Sequence, residues 1–296
     1  MKSGFVAILG RPNAGKSTLI NAIIKEKIAI TSYKAETTRN TIMGILNRED
    51  LQIVFLDTPG IHAAKTALGS YMNREALSQV EGVDVIYYVC DARNGLHEED
   101  NRILRQIKDK APVFLLLNKI DELSKEELIN RIIYAQNNYD FKEIIPISAL
   151  KENNLEELLN TTLDYLSDNI LYYPQDMNTA ASLEFRISEI IREKILINCS
   201  REVPHLSAVL VERIRETDKK YKIDAVIVVT KSSHKAIIIG KDGRMLKRIN
   251  MQASKEISEW LGKKVELSLF VKVEEDWINK KNKLYDLGYL IDKDER

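Results

Sequence analysis

Short apolar runs alternate with stretches of helical period along the first half of the chain, a pattern that predicts a mostly parallel sheet covered by helices on both faces. Phe5 to Leu9, Val83 to Cys90, Val113 to Leu117 and Ile144 to Ile147 read as buried strands, and Thr41 to Leu46 with Leu51 to Leu56 as a hairpin. Leu19 to Ile24, Leu68 to Val80, Glu98 to Lys108, Lys125 to Asn137 and Leu155 to Leu166 carry the helical spacing. The rhythm stops near Asp168. Pro174 lies in the following Leu171 to Met177 stretch and ends helical continuation. The expected division is a first domain over 1–170, a linker over 171–179, a second domain over 180–275 and a helix with tail over 276–296.

In the second part a helix is expected from Ala180 to about Asn198, with Leu183, Ile187, Ile190, Ile191, Lys194 and Ile195 on one side. Two strand patterns follow, Ser207 to Arg215 and Lys222 to Thr230, joined by the charged turn Glu216 to Lys220. A helix ending in an apolar run, a glycine loop, a second helix and a strand from Lys264 to Val273 come next. Trp277 to Leu284 reads as a terminal helix, with Trp277 an anchor packed on the domain.

With 296 residues there is enough chain for two cores. The formal charge is zero, but residues 1–178 hold 20 Lys and Arg against 25 Asp and Glu, leaving 24 against 19 for the rest. The second part is therefore the one suited to a polyanion. Cys90 and Cys199 are far apart in sequence and have no metal spacing, which fits reduced thiols. No apolar stretch approaches membrane-spanning length. A soluble cytoplasmic monomer is expected, with peripheral membrane attachment left open.

Chemistry concentrates at the ends of the predicted strands. Gly10-Arg11-Pro12-Asn13-Ala14-Gly15-Lys16-Ser17-Thr18 follows the first strand and opens the first helix. That is the phosphate-loop spacing: successive N–H groups curl around a phosphate, Lys16 reaches the outer phosphates, and the Ser17 hydroxyl can ligate magnesium. Asp57-Thr58-Pro59-Gly60 follows the next strand, where Asp57 can hold magnesium through water and the Gly60 N–H can face a terminal phosphate. Asn118-Lys119-Ile120-Asp121 ends another strand. There a carboxylate can accept from the N1–H and 2-amino group of guanine, a donor pair that adenine lacks, so Asp121 selects GTP over ATP. Asn118 either meets the base edge or braces the phosphate loop, and the Lys119 stem can cover the ring. Ser148 and Ala149, after the last strand, offer backbone N–H groups to the guanine oxygen.

Taken in order, these motifs resemble those of translation-factor-class GTPases. GRPNAGKST, Thr37-Thr38-Arg39 and DTPGI resemble those of the Era subgroup. The resemblance implies a GTP-hydrolysing domain that uses GTP, GDP and Mg2+, with Thr38 ligating the metal and Thr37 as the alternative. It implies two switch segments, residues 31–42 and 57–70, that order around the third phosphate. Ile61 stands where Ras-like enzymes have the glutamine that orients the attacking water. Relatives with a hydrophobic residue there use a potassium ion, and Asn13 occupies the position that supplies it an oxygen. A local turn former is the other reading of Asn13. Lys16, Thr38, Gly60 and, through K+, Asn13 are thus the expected catalytic set. His62 reads as a solvated loop residue rather than a general base.

Ala236 to Ile249 resembles the KH module in its type II order of helix, strand, strand, helix, loop, helix, strand. The resemblance implies an α+β domain in which Ile239, Gly240, Lys241, Asp242, Gly243, Arg244 and Lys247 meet single-stranded RNA beside an apolar groove. Asp242 departs from an all-basic loop. A phosphate-loop GTPase domain followed by a type II KH domain is the Era arrangement. It implies a switch acting on the 3′ region of small-subunit ribosomal RNA during assembly of that subunit. A regulated binding module for a protein or membrane partner, with the KH fold as a structural lobe, is the competing reading, and a general ATPase a weaker one that Asp121 opposes.

Overall fold

The computed structural model describes residues 1–34, 36–167 and 169–289. Ala35 of the first switch, Asp168 at the expected helix end and the tail from residue 290 lie outside the described residues. Contacts divide the chain into two units: residues 1–63 with 72–180, and residues 64–71 with 181 onward.

The first unit is a six-stranded sheet. Its strands are β1 (Lys2–Gly10), β2 (Ile42–Arg48), β3 (Leu51–Asp57), β4 (Val85–Asp91), β5 (Val113–Asn118) and β6 (Glu143–Ile147). The order is β2-β3-β1-β4-β5-β6, parallel except for β2, which pairs antiparallel with β3 across the two-residue turn after Arg48. Its helices are α1 (Lys16–Ile24), α3 (Glu98–Ile107), α4 (Lys125–Asn138) and α5 (Leu155–Leu163), with residues 72–78 of α2 (Ala67–Ser78), whose residues 67–71 belong to the second unit. β3 and β5 are buried along their whole length, because helices cover both faces of a parallel sheet and leave no place for alternation. Chain order reverses at β1, whose neighbours are β3 on one side and β4 on the other. Such a switch point opens a crevice at the carboxyl ends of the strands, where ligands of doubly wound sheets bind. All the phosphate and base motifs leave strands at that end.

Two boundaries differ from expectation. α5 stops at Leu163, its last turn closed by the Asp164 N–H onto the Thr161 and Thr162 carbonyls, although Leu166 remains buried. Residues 171–179, read as a linker, are tied to the first unit. Buried Gln52 accepts from the Tyr172 and Tyr173 N–H groups at 2.8 and 3.0 Å and donates to the Tyr173 carbonyl at 2.8 Å. Thr179 bridges to Gly44, so this segment extends the pairing of edge strand β2.

The second unit contains α6 (Leu183–Asn198), β7 (Ser207–Glu216), β8 (Lys220–Val229), α7 (Ser232–Ile239), α8 (Arg244–Leu261), β9 (Lys264–Val273) and α9 (Lys281–Asp286). β8 is central, antiparallel to β7 and parallel to β9. Ile187, Ile191, Ile223, Ile227, Ile249 and Ile257 form the centre of its core. α6 begins three residues later than expected because the Ser182 side chain accepts from the Phe185 N–H and caps the helix at Leu183. Lys194 does lie on the buried side. Burial works against its charge, but Glu193 and Glu256 outweigh that and raise its pKa. The expected terminal helix is split: Trp277–Asn279 is a single 3-10 turn, and Lys280 adopts extended backbone before α9. Trp277 is fully buried, and its indole N–H donates to the Leu206 carbonyl at 3.1 Å, as an anchor would.

Candidate functional site

The phosphate loop joins β1 to α1 with Asn13 and Gly15 in left-handed backbone, φ 62° and 100°. A side chain at Gly15 would place its Cβ 2.2 Å from Asn118 Nδ2, so glycine is required by close approach as well as by φ. Asn118 fills that space. Its Nδ2 donates to the Ala14 carbonyl at 2.8 Å, and its Oδ1 accepts from the N–H groups of Lys119 and Ala149 at 2.8 and 2.9 Å. Of the two roles left open for Asn118, the geometry gives it the brace. Lys119 ties the same parts together, its ammonium 2.7 Å from both the Asn13 carbonyl and Asp91 Oδ2. Although burial works the other way, Arg93 and Lys119 hold the Asp91 carboxyl down at about 2.

Three oxygens converge below the loop. Ser17 Oγ donates to Asp57 Oδ2 at 2.7 Å and lies 2.8 Å from Thr38 Oγ1. The Thr37 hydroxyl instead donates to the Lys34 carbonyl at 2.7 Å. Asp57 is completely buried, and its second oxygen, Oδ1, has no hydrogen-bond partner. A buried, unpaired carboxylate oxygen beside two hydroxyls suits a hard divalent cation. Burial pushes the Asp57 carboxyl up to about 6, against the pull of Lys16, Ser17 and Thr38. Burial also lowers Lys16 to about 8, with Asp57 opposing. The Lys16 ammonium rests on the Gly10 and Arg11 carbonyls at 3.1 and 3.2 Å, positions it can leave for phosphate oxygens.

The recess so formed is lined by Pro12, Asn13, Gly15 to Thr18, Thr37, Thr38 and Gly60, as expected, by Thr31, Ser32 and Glu36 of the expected first switch, and by Ile30, which carries no motif. Several expected members face elsewhere. Arg11 points its guanidinium at Glu99 and Asp100, 3.5 and 3.4 Å away on α3. Thr58 donates to the Ile8 carbonyl at 2.8 Å inside the core. Ile61 is 7 % exposed and packs in the hydrophobic cluster with Leu9 and Tyr88. These residues shape the loops; their side chains do not line the recess. His62 is also not solvated as expected: its Nδ1 lies 3.0 Å from the Gly60 carbonyl.

At the base end Asp121 is exposed, and the Ser148 hydroxyl donates to its Oδ1 at 2.6 Å. Ser148 therefore aims the carboxylate, a role missed because the two residues are 27 positions apart. Ala149, expected to offer its N–H to the guanine oxygen, already donates it to Asn118.

In the second unit the loop between α7 and α8 runs through Gly240 at φ 73°, ψ 173° and Gly243 at φ 72°. A Cβ at Gly240 would lie 2.6 Å from the Met245 Cβ, whereas at Gly243 it would meet nothing within 4 Å. Lys241, Asp242, Arg244 and Lys247 are exposed, and Asp242 lies 3.5 Å from Arg244, offsetting part of the positive charge.

Residues 5–119 match the family model of the 50S ribosome-binding GTPase, and residues 202–278 match that of a KH domain. A crystal structure of a variant of Aquifex aeolicus Era bound to GDP.AlF4− is 39% identical to this chain with a TM-score of 0.95, covering 98% of this chain and 100% of that one. This chain belongs to the Era family. A second Era structure, in complex with MgGDPNP and nucleotides 1506–1542 of 16S ribosomal RNA, matches with the same identity, coverage and TM-score. The first unit is accordingly an Era-type GTPase domain and the second a KH domain, in the order expected.

Proposed function

We propose that this protein is a GTP-hydrolysing switch whose nucleotide state governs the hold of its KH domain on single-stranded RNA of the small-subunit 3′ region, during assembly of that subunit. The observation that carries the proposal is the convergence of Ser17, Thr38 and Asp57 on one buried point beside Lys16. An Era relative in complex with MgGDPNP and a 16S RNA segment supports it. Ser17 and Thr38 would hold magnesium directly and Asp57 through water; when bound, the ion neutralises charge developing on the phosphates. Lys16 would move from the loop carbonyls to the outer phosphates, and the Gly60 N–H would face the terminal one. Asp121, held by Ser148, would select guanine.

Ile61 has no polar atom with which to orient water, and its burial fits a mechanism without the Ras-type glutamine. We assign part of the missing charge stabilisation to potassium held by the Asn13 side chain, whose left-handed backbone lets it be a turn former at the same time. In the KH domain, the backbone at Gly240 and Gly243 would approach the sugar-phosphate chain, with Lys241, Arg244 and Lys247 beside it and Ile239 at the groove. We place the protein in the cytoplasm as a monomer. No described helix is long and apolar enough to cross a membrane, so any attachment there would be peripheral. The test measures turnover of GTP and ATP in potassium and in sodium chloride, and binding of a short 3′-end RNA with GDP and with a non-hydrolysable GTP analogue. GTP-specific, potassium-stimulated turnover and nucleotide-dependent RNA affinity are expected. Equal use of ATP, or RNA affinity indifferent to nucleotide, would overturn the proposal; equal rates in the two salts would remove potassium from it.

A further inference from the structure

Glu36 brings a carboxylate to the rim of the phosphate recess, together with Lys16, Thr38 and Gly60. Negative charge there opposes a bound phosphate unless it is neutralised or turned aside. The backbone of Glu36 has φ 55°, a left-handed conformation that a non-glycine residue adopts where its surroundings constrain it. His62 of the second loop faces the Glu36 side chain. Its Nε2 is 3.5 Å from Glu36 Oε1 and its Nδ1 is 3.0 Å from the Gly60 carbonyl. Both partners are acceptors, and the ring stands between them with one nitrogen turned to each. The histidine is fixed from behind by Asn73 on α2. The His62 N–H donates to Asn73 Oδ1 at 3.2 Å, and Asn73 Nδ2 donates to the His62 carbonyl at 2.7 Å. The ring is 23% exposed, placed between the two loops rather than in solvent.

We propose that His62 is a positioning residue for GTP: it ties the loop bearing Thr38 to the loop bearing Gly60 and draws the Glu36 carboxylate away from the place of the third phosphate. This rests on the reading that residues 31–42 and 57–70 close around that phosphate. GDP has no group at that position, so the effect falls on GTP alone.

The test uses the full-length protein with magnesium and compares binding of fluorescent GDP and a fluorescent non-hydrolysable GTP analogue to the unaltered chain, His62→Ala, His62→Gln, Glu36→Gln and the double variant His62→Ala/Glu36→Gln. His62→Ala should weaken the analogue about fivefold to tenfold and GDP by less than about twofold, the size expected for one half-buried polar contact. His62→Gln keeps amide donors and should recover part of the loss. The double variant should return the analogue to within about twofold of the starting affinity, since the stray charge is gone. Equal losses for both nucleotides, or no recovery in the double variant, would overturn the inference. Glu36→Gln alone should leave analogue affinity undiminished, and a drop there would overturn it even if His62→Ala proved unstable. Failure of the unaltered chain to bind the analogue would instead refute the proposed function.

Discussion

The proposed nucleotide site and the proposed RNA loop would bind phosphate by opposite physical means. In the first unit the charged groups are buried before any ligand arrives: Asp57 and Lys16 are both held away from water, and their pKa values are displaced toward neutrality. In the second unit Lys241, Arg244 and Lys247 stand in solvent on a glycine loop, with Asp242 cancelling some of their field. Buried groups cannot rehydrate or reorient, so they discriminate sharply between ligands. Exposed charges attract any polyanion, weakly and with strong dependence on salt. On the proposed reading the phosphates and metal of a nucleotide meet buried groups, while its base and a long RNA chain meet exposed ones.

The sharpest way to break this contrast is at the base end. Asp121→Ala would remove the two charge-assisted hydrogen bonds proposed to guanine, each worth about 1.5–3 kcal/mol. Calorimetry should show GTP affinity falling by at least about a hundredfold, with binding of the RNA fragment by the nucleotide-free protein unchanged. Next in size is Ser17→Ala. Removing the hydroxyl between Thr38 and Asp57 should raise the magnesium concentration needed for half-maximal GTP binding on the order of tenfold to a hundredfold, read by titration with the metal.

Acidity should separate the two regions as well. With the Asp57 carboxyl at about 6, magnesium-dependent GTP binding should fall about tenfold per pH unit below that value as the oxygen takes a proton. The same displacement acts on the nucleotide-free fold. The Asp57 pKa is above its unfolded value, so its contribution favours folding below the unfolded pKa and is lost as pH rises through about 6. The Lys16 pKa is below its unfolded value, so its unfavourable contribution is present at low pH and disappears as pH climbs from about 8 toward 10.5. Melting curves of the nucleotide-free protein should therefore gain more from added magnesium and GTP near neutral pH than at pH 5. RNA binding should change little over the same range, since the loop side chains stand in solvent and not in the interior.

The smallest expected effect is on the surface. Lys241→Ala, Arg244→Ala and Lys247→Ala combined should weaken RNA about tenfold at moderate salt and make the slope of log affinity against log salt shallower by about two, without altering GTP binding. The two glycines are not equivalent probes. Gly243→Asp puts a charge into open space and tests the phosphate approach, whereas a side chain at Gly240 collides with Met245 and would distort the loop.

Much of this was legible in the chain because local signals carried it. The phosphate loop, DTPG and NKID lie within a few residues of strand ends, and the strands show as apolar runs that a parallel sheet buries on both faces. Where local signals were thin, expectation failed. Residues 171–179 contain a proline and carry turn composition, yet buried Gln52, some 120 positions earlier, holds them against the sheet. His62 is a loop residue as expected, but its partners Asn73 and Glu36, which keep it from full solvation, are not visible as its neighbours in sequence.

By itself the sequence pointed to which chemistry is present: a spacing of glycines, lysine and serine suited to curl around phosphate between a strand and a helix, a carboxylate suited to guanine, and a basic glycine loop in a second domain. Tertiary structure alone decided which of two adjacent threonines meets Ser17, that Asn118 braces Ala14 rather than reading the base edge, that Ser148 aims Asp121, and that Gly240 has no room for a side chain while Gly243 has. The physical reason is range. Backbone conformation and amphipathic period are set by neighbours a few residues apart, while hydrogen bonds between buried groups join positions that only the packed sheet and core bring together.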